Sequence, residues 1–372
     1  MTAVYKNLLG DRLEKRRANG LYRALITPEI DLIDFTSNDY FGFSRSKELA
    51  EEASRLTSRI GATGSRLLTG NYSLYREMEQ KLAHFHHAES ALIFNTGYQA
   101  NLGLLAAIGN PETTFIYDLE SHASIYDGMR LSRAKCLPFR HNNLDSLERR
   151  LQKATPPVFV LIESIYSISG DIAPLREIAD LSTRYGAMLI VDEAHATGIR
   201  GLNGEGLVTE YGQEDQVFAR VHTFSKTIGV HGAAVLGNQI LKDYLVNFSR
   251  PFIYTTALPP FSLAMIGCAY DKLQKEAKHH QYRLQQLIHY FQHAFKTPIV
   301  RDGPIQSLYS SSVEKVKELS QILHRQGLDV RAILPPTSPQ GKPCLRIVLH
   351  SFNHEKEIDL LCASLSLASI QK

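Results

Sequence analysis

The chain has 372 residues, of which 44% are hydrophobic and 21% are charged, as in a globular protein with a large core. Its 41 lysines and arginines exceed its 38 acidic residues so slightly that bulk charge gives no basis for nucleic-acid binding. No run of about 18 apolar residues indicates a membrane span, and the four scattered cysteines indicate neither a disulfide framework nor a zinc site.

The first predicted element is a helix near the N-terminus. This segment has no apolar signal core, so we expect a cytoplasmic protein. A β-like run near residues 32–36 and the stretch SNDYFGFS complete a first region, residues 1–42. Four apolar residues recur at helical spacing and predict that the helix is amphipathic and lies on the body of the protein: Val4, Leu8, Leu9 and Leu13.

Residues 43–275 alternate apolar, β-rich runs with helical patterns, which predicts a mostly parallel sheet with helices on both faces. The tail, residues 276–372, begins with a long helical pattern, has strands near Ile305–Tyr309 and Leu345–Leu349, and ends in a helix from about His354. It predicts a smaller α+β domain. The predicted strands of the larger region are Ala91–Phe94, Thr114–Tyr117, Val158–Glu163, Met188–Asp192, Val221–Phe224 and Ala233–Leu236.

Chemically active residues follow several of these strands, and the C-terminal ends of parallel strands tend to build the active site. Gly97 and Tyr98 open a helical pattern after the first strand, where free N–H groups could hold a phosphate. His122 follows the second strand, although a lone histidine is more often structural. These two signals are weak when each is taken alone.

Asp192 ends an apolar strand and lies three residues before His195. The carboxylate could hold a positively charged ring nitrogen, and the imidazole could donate to a ring oxygen. The string DEAH also occurs in helicases, but the phosphate-binding sequence G-x-x-x-x-G-K-[ST] that they require is absent. A zinc site would need H-E-x-x-H or a third ligand at suitable spacing, so no metal is expected.

Lys226 follows the strand predicted at Val221–Phe224. Burial at the active-site edge of the sheet would lower the pKa of this amine and make it a usable nucleophile and base. A buried lysine, an acid for a ring nitrogen and a phosphate cradle are what pyridoxal 5′-phosphate (PLP) needs. The sequence therefore predicts a PLP site.

The chain resembles the α-oxoamine synthases, which are fold-type I PLP enzymes, over nearly its whole length. The resemblance implies an aspartate-aminotransferase-like subunit in which residues 43–275 bind PLP and residues 276–372 form the small domain. It also implies a homodimer, in which Ser65 and Arg66, or Thr255 and Thr256, could reach the partner's cofactor. The motifs that carry it are SNDYFGFS, GATGSRLLTGN, NTGYQAN, SHASIYDG, ESIYSISGDIAPL, VDEAHATG and TFSKTIG.

The resemblance also implies a role for each site residue. Lys226 would form the Schiff base with PLP and later move the substrate's Cα proton. Asp192 would pair with the pyridinium nitrogen, His195 would bond the phenolic oxygen, and His122 would stack on the ring. The remaining contacts would come from Gly97, Tyr98 and Thr223 to the phosphate, from Ser167 beside the cofactor, and from Arg346, Asn38, Arg23 and Thr337, with His122, to the substrate.

The implied reaction is a decarboxylative condensation of L-alanine with a 6-carboxyhexanoyl thioester of CoA or of an acyl carrier protein. Related enzymes, the glycine C-acetyltransferases and the serine-using sphingoid-base synthases, stay open as alternatives. A non-catalytic subunit also stays open, although the joint presence of the lysine, aspartate and histidines argues against it. Two positions depart from the family pattern: Ser169 stands where an acidic residue is common, and Cys344 where an arginine is common.

Overall fold

The computed structural model describes residues 3–25, 27, 31–295 and 301–370. The helices in these residues are α1 (Ala3–Ala18), α2 (Lys47–Leu56), α3 (Ser73–Phe85), α4 (Gly97–Ile108), α5 (Ala123–Ser132), α6 (Leu144–Leu151), α7 (Leu175–Arg184), α8 (Leu207–Glu210), α9 (Gln239–Phe248), α10 (Arg250–Ile253), α11 (Pro260–Phe295), α12 (Val313–Arg325) and α13 (Glu355–Ile370). The strands are β1 (Ile33–Asp34), β2 (Ser90–Phe94), β3 (Thr114–Asp118), β4 (Lys135–Phe139), β5 (Val158–Glu163), β6 (Met188–Asp192), β7 (Val217–Thr223), β8 (Ala233–Gly237), β9 (Ile305–Tyr309), β10 (Leu328–Asp329), β11 (Arg331–Ile333) and β12 (Cys344–Val348).

The central sheet has seven strands in the order β2-β8-β7-β6-β5-β3-β4. Strands β7, β6, β5, β3 and β4 are parallel to one another, whereas β8 pairs antiparallel with both β2 and β7. The sheet is therefore mixed, and its parallel part contains the strands that were predicted to carry Asp192 and Lys226 at their ends. The predicted mostly parallel sheet is confirmed.

Both faces of this sheet are buried, as β5 shows. Val158, Val160 and Ile162 belong to one hydrophobic core, and Phe159 and Leu161 belong to another. Successive residues of a strand point to opposite faces, so a strand that is apolar throughout requires cover on both sides. Helices α6 and α7 contribute to the first core, and α4, α5 and α9 contribute to the second.

The C-terminal part of the chain forms a second sheet, in which β12 lies between β11 and β9 and is antiparallel to both. Strand β1 pairs in parallel with β10, so Ile33 lies beside Leu328. Helix α11 runs without interruption across the boundary that was predicted at residue 275. The N-terminal segment, α11 and the small sheet share one hydrophobic core.

Helix α1 forms where it was predicted, but one part of that prediction is wrong. Leu8 and Leu9 are 58% and 55% exposed, so these leucines do not pack on the body of their own chain. The helix ends at Ala18, and the chain turns away at Gly20, which has a φ of +67°. There the N–H of Leu21 donates to the carbonyl of Arg16, and the N–H of Gly20 donates to that of Arg17. This is the Schellman arrangement, which favours glycine at the left-handed position.

Helix α11 is the longest helix of the described residues, but it carries charged and polar side chains along its length. In the part of the chain that the structure describes, no helix combines the length and the apolar character needed to cross a membrane.

We expect Leu273→Ala in α11 to destabilise the protein by about 2–5 kcal/mol, because it leaves a cavity where a fully buried side chain packs. Tyr282→Ala, on the same helix but 67% exposed, should change the free energy of unfolding by no more than about 0.5 kcal/mol. Urea denaturation of both variants checks this, and equal losses would contradict the described packing of α11.

Candidate active site

A cavity of about 1210 Å³ opens at the carboxyl ends of β5, β6 and β7 and extends to the small sheet. Its walls include residues from the N-terminal segment, from the central sheet and from the C-terminal part. Every site residue predicted from the sequence lines it: Arg23, Asn38, Gly97, Tyr98, His122, Ser167, Asp192, His195, Thr223, Lys226, Thr337 and Arg346.

Asp192 lies at the end of β6, next to Glu163 on β5, and is 5% exposed. Its Oδ2 accepts a hydrogen bond of 2.7 Å from Asn101 Nδ2, and its Oδ1 accepts one of 2.9 Å from the backbone N–H of Ala194. A buried carboxylate is costly unless it is hydrogen-bonded and faces a positive charge. These two hydrogen bonds orient the Asp192 carboxylate, which lines the cavity and could there pair with a protonated ring nitrogen.

Lys226 lies in the turn that joins β7 to β8. Its Nζ donates to the hydroxyl of Thr223 at 3.2 Å. Burial lowers the pKa of Lys226, with a smaller contribution from Arg346, while Asp192 and Glu163 act in the opposite direction. A lowered pKa increases the fraction of free amine, which is the form that attacks a carbonyl and accepts a proton.

His195 is buried and its ring is held by Tyr40, whose hydroxyl lies 2.7 Å from Nδ1. Burial holds the pKa of His195 well below its usual value, and the charges of Lys226 and Arg346 add to this effect. The imidazole is therefore neutral near pH 7. If Tyr40 donates to Nδ1, Nε2 carries the proton, and the ring can donate a hydrogen bond into the cavity.

His122 caps the N-terminus of α5, where its Nδ1 accepts from the backbone N–H of Ser124 at 3.3 Å. The Ser124 hydroxyl lies 2.8 Å from the same nitrogen and accepts from Asn101 Nδ2 at 3.0 Å. Since Asn101 also binds Asp192, one chain of hydrogen bonds fixes both the imidazole and the carboxylate. Although the ring is exposed to the cavity, the loss of surrounding water lowers the pKa of His122.

The N-terminus of α4 begins at Gly97 and faces β7. A Cβ atom at Gly97 would lie 2.2 Å from Cγ2 of Thr223, so only glycine allows the helix to approach the strand this closely. The first N–H groups of a helix have no partner within the helix and carry its positive dipole. With the Thr223 hydroxyl, the N–H groups of Gly97 and Tyr98 form a cradle suited to a phosphate.

Arg346 projects from the middle strand of the small sheet and is 8% exposed. Its Nε donates to the carbonyl oxygen of Ser167 at 2.7 Å, and its Nη2 donates to Oδ1 of Asn38 at 2.8 Å. Arg23 also lines the cavity, and its Nη2 donates to the hydroxyl of Thr337 at 2.9 Å. Two arginines with different hydrogen-bond partners therefore line one cavity, and each could bind a carboxylate.

Sequence reasoning missed several residues that hold the predicted ones in place. Tyr40, Asn101 and Glu163 all lie inside motifs that were recognised, but their roles depend on contacts between distant segments. Burial and the neighbouring Asp192 raise the pKa of Glu163 well above its usual value. One of its oxygens, Oε1, is buried without a hydrogen-bond partner among the described residues.

His141 also lines the cavity and was not predicted. It lies within 3.0 Å of Asp118 and 3.2 Å of Asp171, and Arg301 pairs with Asp171 at 3.0 Å. Although burial lowers the pKa of His141, hydrogen bonds to the two aspartates raise it to about 10. The imidazole is therefore a cation that joins the central sheet to the C-terminal part. Its atoms and those of Glu120 and Asp171 could also approach a metal ion, but the histidine is already engaged as a donor.

The two departures from the family pattern have local structural consequences. The Ser169 hydroxyl is buried and accepts from the backbone N–H of Asp171 at 3.3 Å, which supports the turn after β5. Cys344 is buried in β12 beside Tyr309, and burial raises the pKa of its thiol to about 11. Both side chains therefore serve packing and turn geometry.

The residues predicted to reach a partner subunit come from two segments that meet where the N–H of Ala257 donates to the carbonyl of Gly64 at 3.0 Å. Arg66, however, is held within its own subunit. Its guanidinium binds Glu79 and Asn71, in the latter case with Nη2 at 2.8 Å from Oδ1. The carbonyl of Thr256 accepts from the Asn95 side chain at 2.8 Å. The participation of Ser65, Arg66, Thr255 and Thr256 in a second subunit's site stays a prediction.

The cavity fits PLP. Its walls present a lysine with a lowered pKa, a buried carboxylate and a phosphate cradle, which match the aldehyde, the ring nitrogen and the phosphate of the cofactor. Two buried oxygens at the wall, Ser121 Oγ and Glu163 Oε1, have no hydrogen-bond partner within the described residues. Such atoms are uncommon in folded proteins and suggest that another group belongs there.

Comparisons with known proteins agree with this chemistry. The model of the aminotransferase class I and II family matches residues 30–365. The 8-amino-7-oxononanoate synthase of Emericella nidulans is 39% identical over 97% of this chain and 95% of its own length.

Two solved structures share the fold. A serine palmitoyltransferase variant from S. paucimobilis, with a bound PLP–myriocin aldimine, has a TM-score of 0.90 and 28% identity, covering 100% of this chain and 99% of its own. The 8-amino-7-oxononanoate synthase of Francisella tularensis has a TM-score of 0.78 and 27% identity, covering 92% and 100%. The predicted fold-type I architecture is confirmed. This chain belongs to the aminotransferase class I and II family and, within it, to the PLP-dependent α-oxoamine synthases, enzymes that join an amino acid to an acyl-CoA thioester.

Proposed function

We propose that this protein is an 8-amino-7-oxononanoate synthase of biotin biosynthesis. It would condense L-alanine with the 6-carboxyhexanoyl (pimeloyl) thioester of CoA or of an acyl carrier protein, releasing the carrier and CO2. The observation that carries the proposal is the convergence of Lys226, Asp192 and Arg346 with Arg23 in one cavity. This set supplies a base, an acid partner for the cofactor, and one cation for each carboxylate of the two substrates.

PLP, when bound, withdraws electrons from the Cα atom of the amino acid and so makes its proton acidic. Lys226 would take that proton and later return one, a role that its lowered pKa favours. Asp192 would keep the ring nitrogen protonated, and His195 and His122 would orient the ring.

Arg346 would bind the carboxylate of alanine until it leaves as CO2. Its guanidinium is already oriented by Ser167 and Asn38, so little side-chain entropy is lost on binding. Arg23 lines the same cavity and would bind the carboxylate at the far end of the acyl chain. An unpaired carboxylate is costly to remove from water, so such an anchor favours a dicarboxylic donor over a monocarboxylic one.

A second candidate is condensation of L-serine with a long acyl thioester. It is favoured by the TM-score of 0.90 to a serine palmitoyltransferase, against 0.78 to the 8-amino-7-oxononanoate synthase of Francisella tularensis. Assays with alanine, glycine and serine against acetyl, pimeloyl and palmitoyl thioesters separate the candidates. We expect the highest kcat/KM for alanine with the pimeloyl thioester, and a preference for serine with palmitoyl would overturn the proposal.

We expect Lys226 to carry the cofactor. Borohydride reduction of the PLP-loaded protein, followed by peptide mass mapping, should find the pyridoxyl group on this residue. Lys242 is a matched control, since its Nζ is held by Glu79 at 2.9 Å outside the cavity walls. A label on Lys242, or a label that persists in Lys226→Ala, would contradict the assignment.

We expect Asp192→Asn to lower the rate of exchange of the alanine Cα proton by at least about 10²-fold, because an amide cannot keep the ring nitrogen protonated as a carboxylate does. NMR of alanine in D2O, without an acyl donor, measures this step alone. The exposed Asp180→Asn serves as control. Exchange at the wild-type rate would count against the proposed pairing.

We expect Arg23→Ala to weaken use of the pimeloyl thioester by about 1.5–3 kcal/mol, the range for a hydrogen bond to a charged group. An uncharged thioester of equal length should lose much less. Measuring kcat/KM for both donors tests whether Arg23 binds the terminal carboxylate. Thr337→Val serves as a second variant, which removes only the hydroxyl that accepts from Arg23. Equal losses for the two donors would mean that Arg23 does not bind the terminal carboxylate.

A further inference from the structure

A second cavity lies beside the active site, between helix α1 and the loop at residues 335–340. Its volume is about 490 Å³. We call it the basic groove, because Arg12, Lys15 and Arg16 form one wall; Leu21 and three prolines contribute apolar surface. Among the described residues, none of these three cations has a side-chain hydrogen bond or an ion pair. Three neighbouring cations without an acidic partner attract an anion.

The three cations of the basic groove lie at regular helical spacing on α1. Arg12, Lys15 and Arg16 are spaced i, i+3 and i+4, so they occupy one face of α1. Arg17, on a different face, is paired with Glu14 and lies over the ring of Tyr22. The helix thus leaves its cations unpaired on the side that faces the groove, and pairs the cation that faces elsewhere.

The groove adjoins the active site and shares part of its lining. Pro336, Pro339 and Gln340 line both cavities. The chain turns at Gly20 so that Leu21 lines the groove, while Arg23, two residues later, lines the active site. A ligand with an anionic end in the groove could therefore extend an arm past the loop and into the catalytic cavity.

We propose that the basic groove binds the nucleotide end of coenzyme A, with its phosphates on the cations of α1 and its adenine against the prolines and Leu21. This inference rests on the proposed function, since it identifies how the acyl donor is held. The guanidinium groups suit phosphate oxygens because they donate two parallel hydrogen bonds. The volume of the groove, about 490 Å³, is that of a small-molecule site, and its apolar surface suits a flat base. Docking of a carrier protein would instead bury on the order of 800 Å² of surface on each partner.

The test compares two pimeloyl donors, the CoA thioester and the pantetheine thioester, which lacks the nucleotide. Arg12→Gln and Arg16→Gln are made singly and together in the PLP-loaded protein, with Arg17→Gln as control. Each groove variant should lose about tenfold in kcat/KM with the CoA donor, mainly through KM, as expected for one charged hydrogen bond. The loss should be far smaller with the pantetheine donor and should shrink at high salt.

Equal losses with both donors, or no loss with either, would overturn the proposal. A loss confined to the acyl carrier protein thioester would overturn it in favour of a protein docking site. Binding of 3′,5′-ADP, measured by calorimetry, tests the groove independently of activity. If no acyl donor reacts but the nucleotide binds wild type and not the double variant, the proposed function fails while the groove assignment stands.

Discussion

The burial of the Asp192 carboxylate is the constraint on which the site depends. A charge at the end of a buried strand costs free energy unless donors and an opposite charge surround it. Asn101 of α4 supplies one donor, the backbone of Ala194 supplies another, and Lys226 supplies the charge. Ala194 is a near neighbour of Asp192 in the chain, but Asn101 and Lys226 come from distant segments. Strands β6 and β7 must therefore pair in the correct register before Lys226 can approach the carboxylate.

The same hydrogen bonds couple the catalytic groups to one another. Asn101 touches both Asp192 and Ser124, and Ser124 holds His122. The position of the imidazole therefore depends on the same side chain as the position of the carboxylate. Such networks rigidify a buried site when all their hydrogen bonds are made. Here the network fixes side chains from α4, from the start of α5 and from the end of β6 relative to one another, as the orientation of a bound ring would require.

The small sheet is fixed to the site through the N-terminal segment. His350 lies at hydrogen-bond distance from the carbonyl of Ser37, at 2.9 Å, while Arg346 reaches Asn38. The stretch HSFNH, residues 350–354, thus contacts the recognised SNDYFGFS motif. Because residues before 42 and after 275 share one core with helices between them, the three regions read from the sequence are interdependent in packing.

Local patterns were sufficient to predict the strand ends, because strands such as β5 and β6 are apolar throughout and end in a polar residue. Strand β4 was missed because it is an edge strand that carries Pro138, and two of its residues, Lys135 and Cys136, are exposed. The motif that contains Lys226 could be recognised from the sequence. The roles of Tyr40 and Asn101 could not, because their contacts with His195 and Asp192 join segments that are far apart in the chain.

The residues that short motifs reveal and the residues that they do not reveal have different proposed roles. The groups proposed to hold the cofactor lie at strand ends and helix starts, where backbone geometry fixes them and short motifs reveal them. The groups proposed to bind the acyl donor, Arg23 with Thr337 and the cations of α1, lie on the N-terminal segment and on a loop of the small sheet. Loops and terminal segments can change without disturbing the buried network around Asp192. The choice of donor can therefore vary among enzymes that share one chemistry, and under the proposed function it depends in this chain on the N-terminal segment and on the loop at residues 335–340.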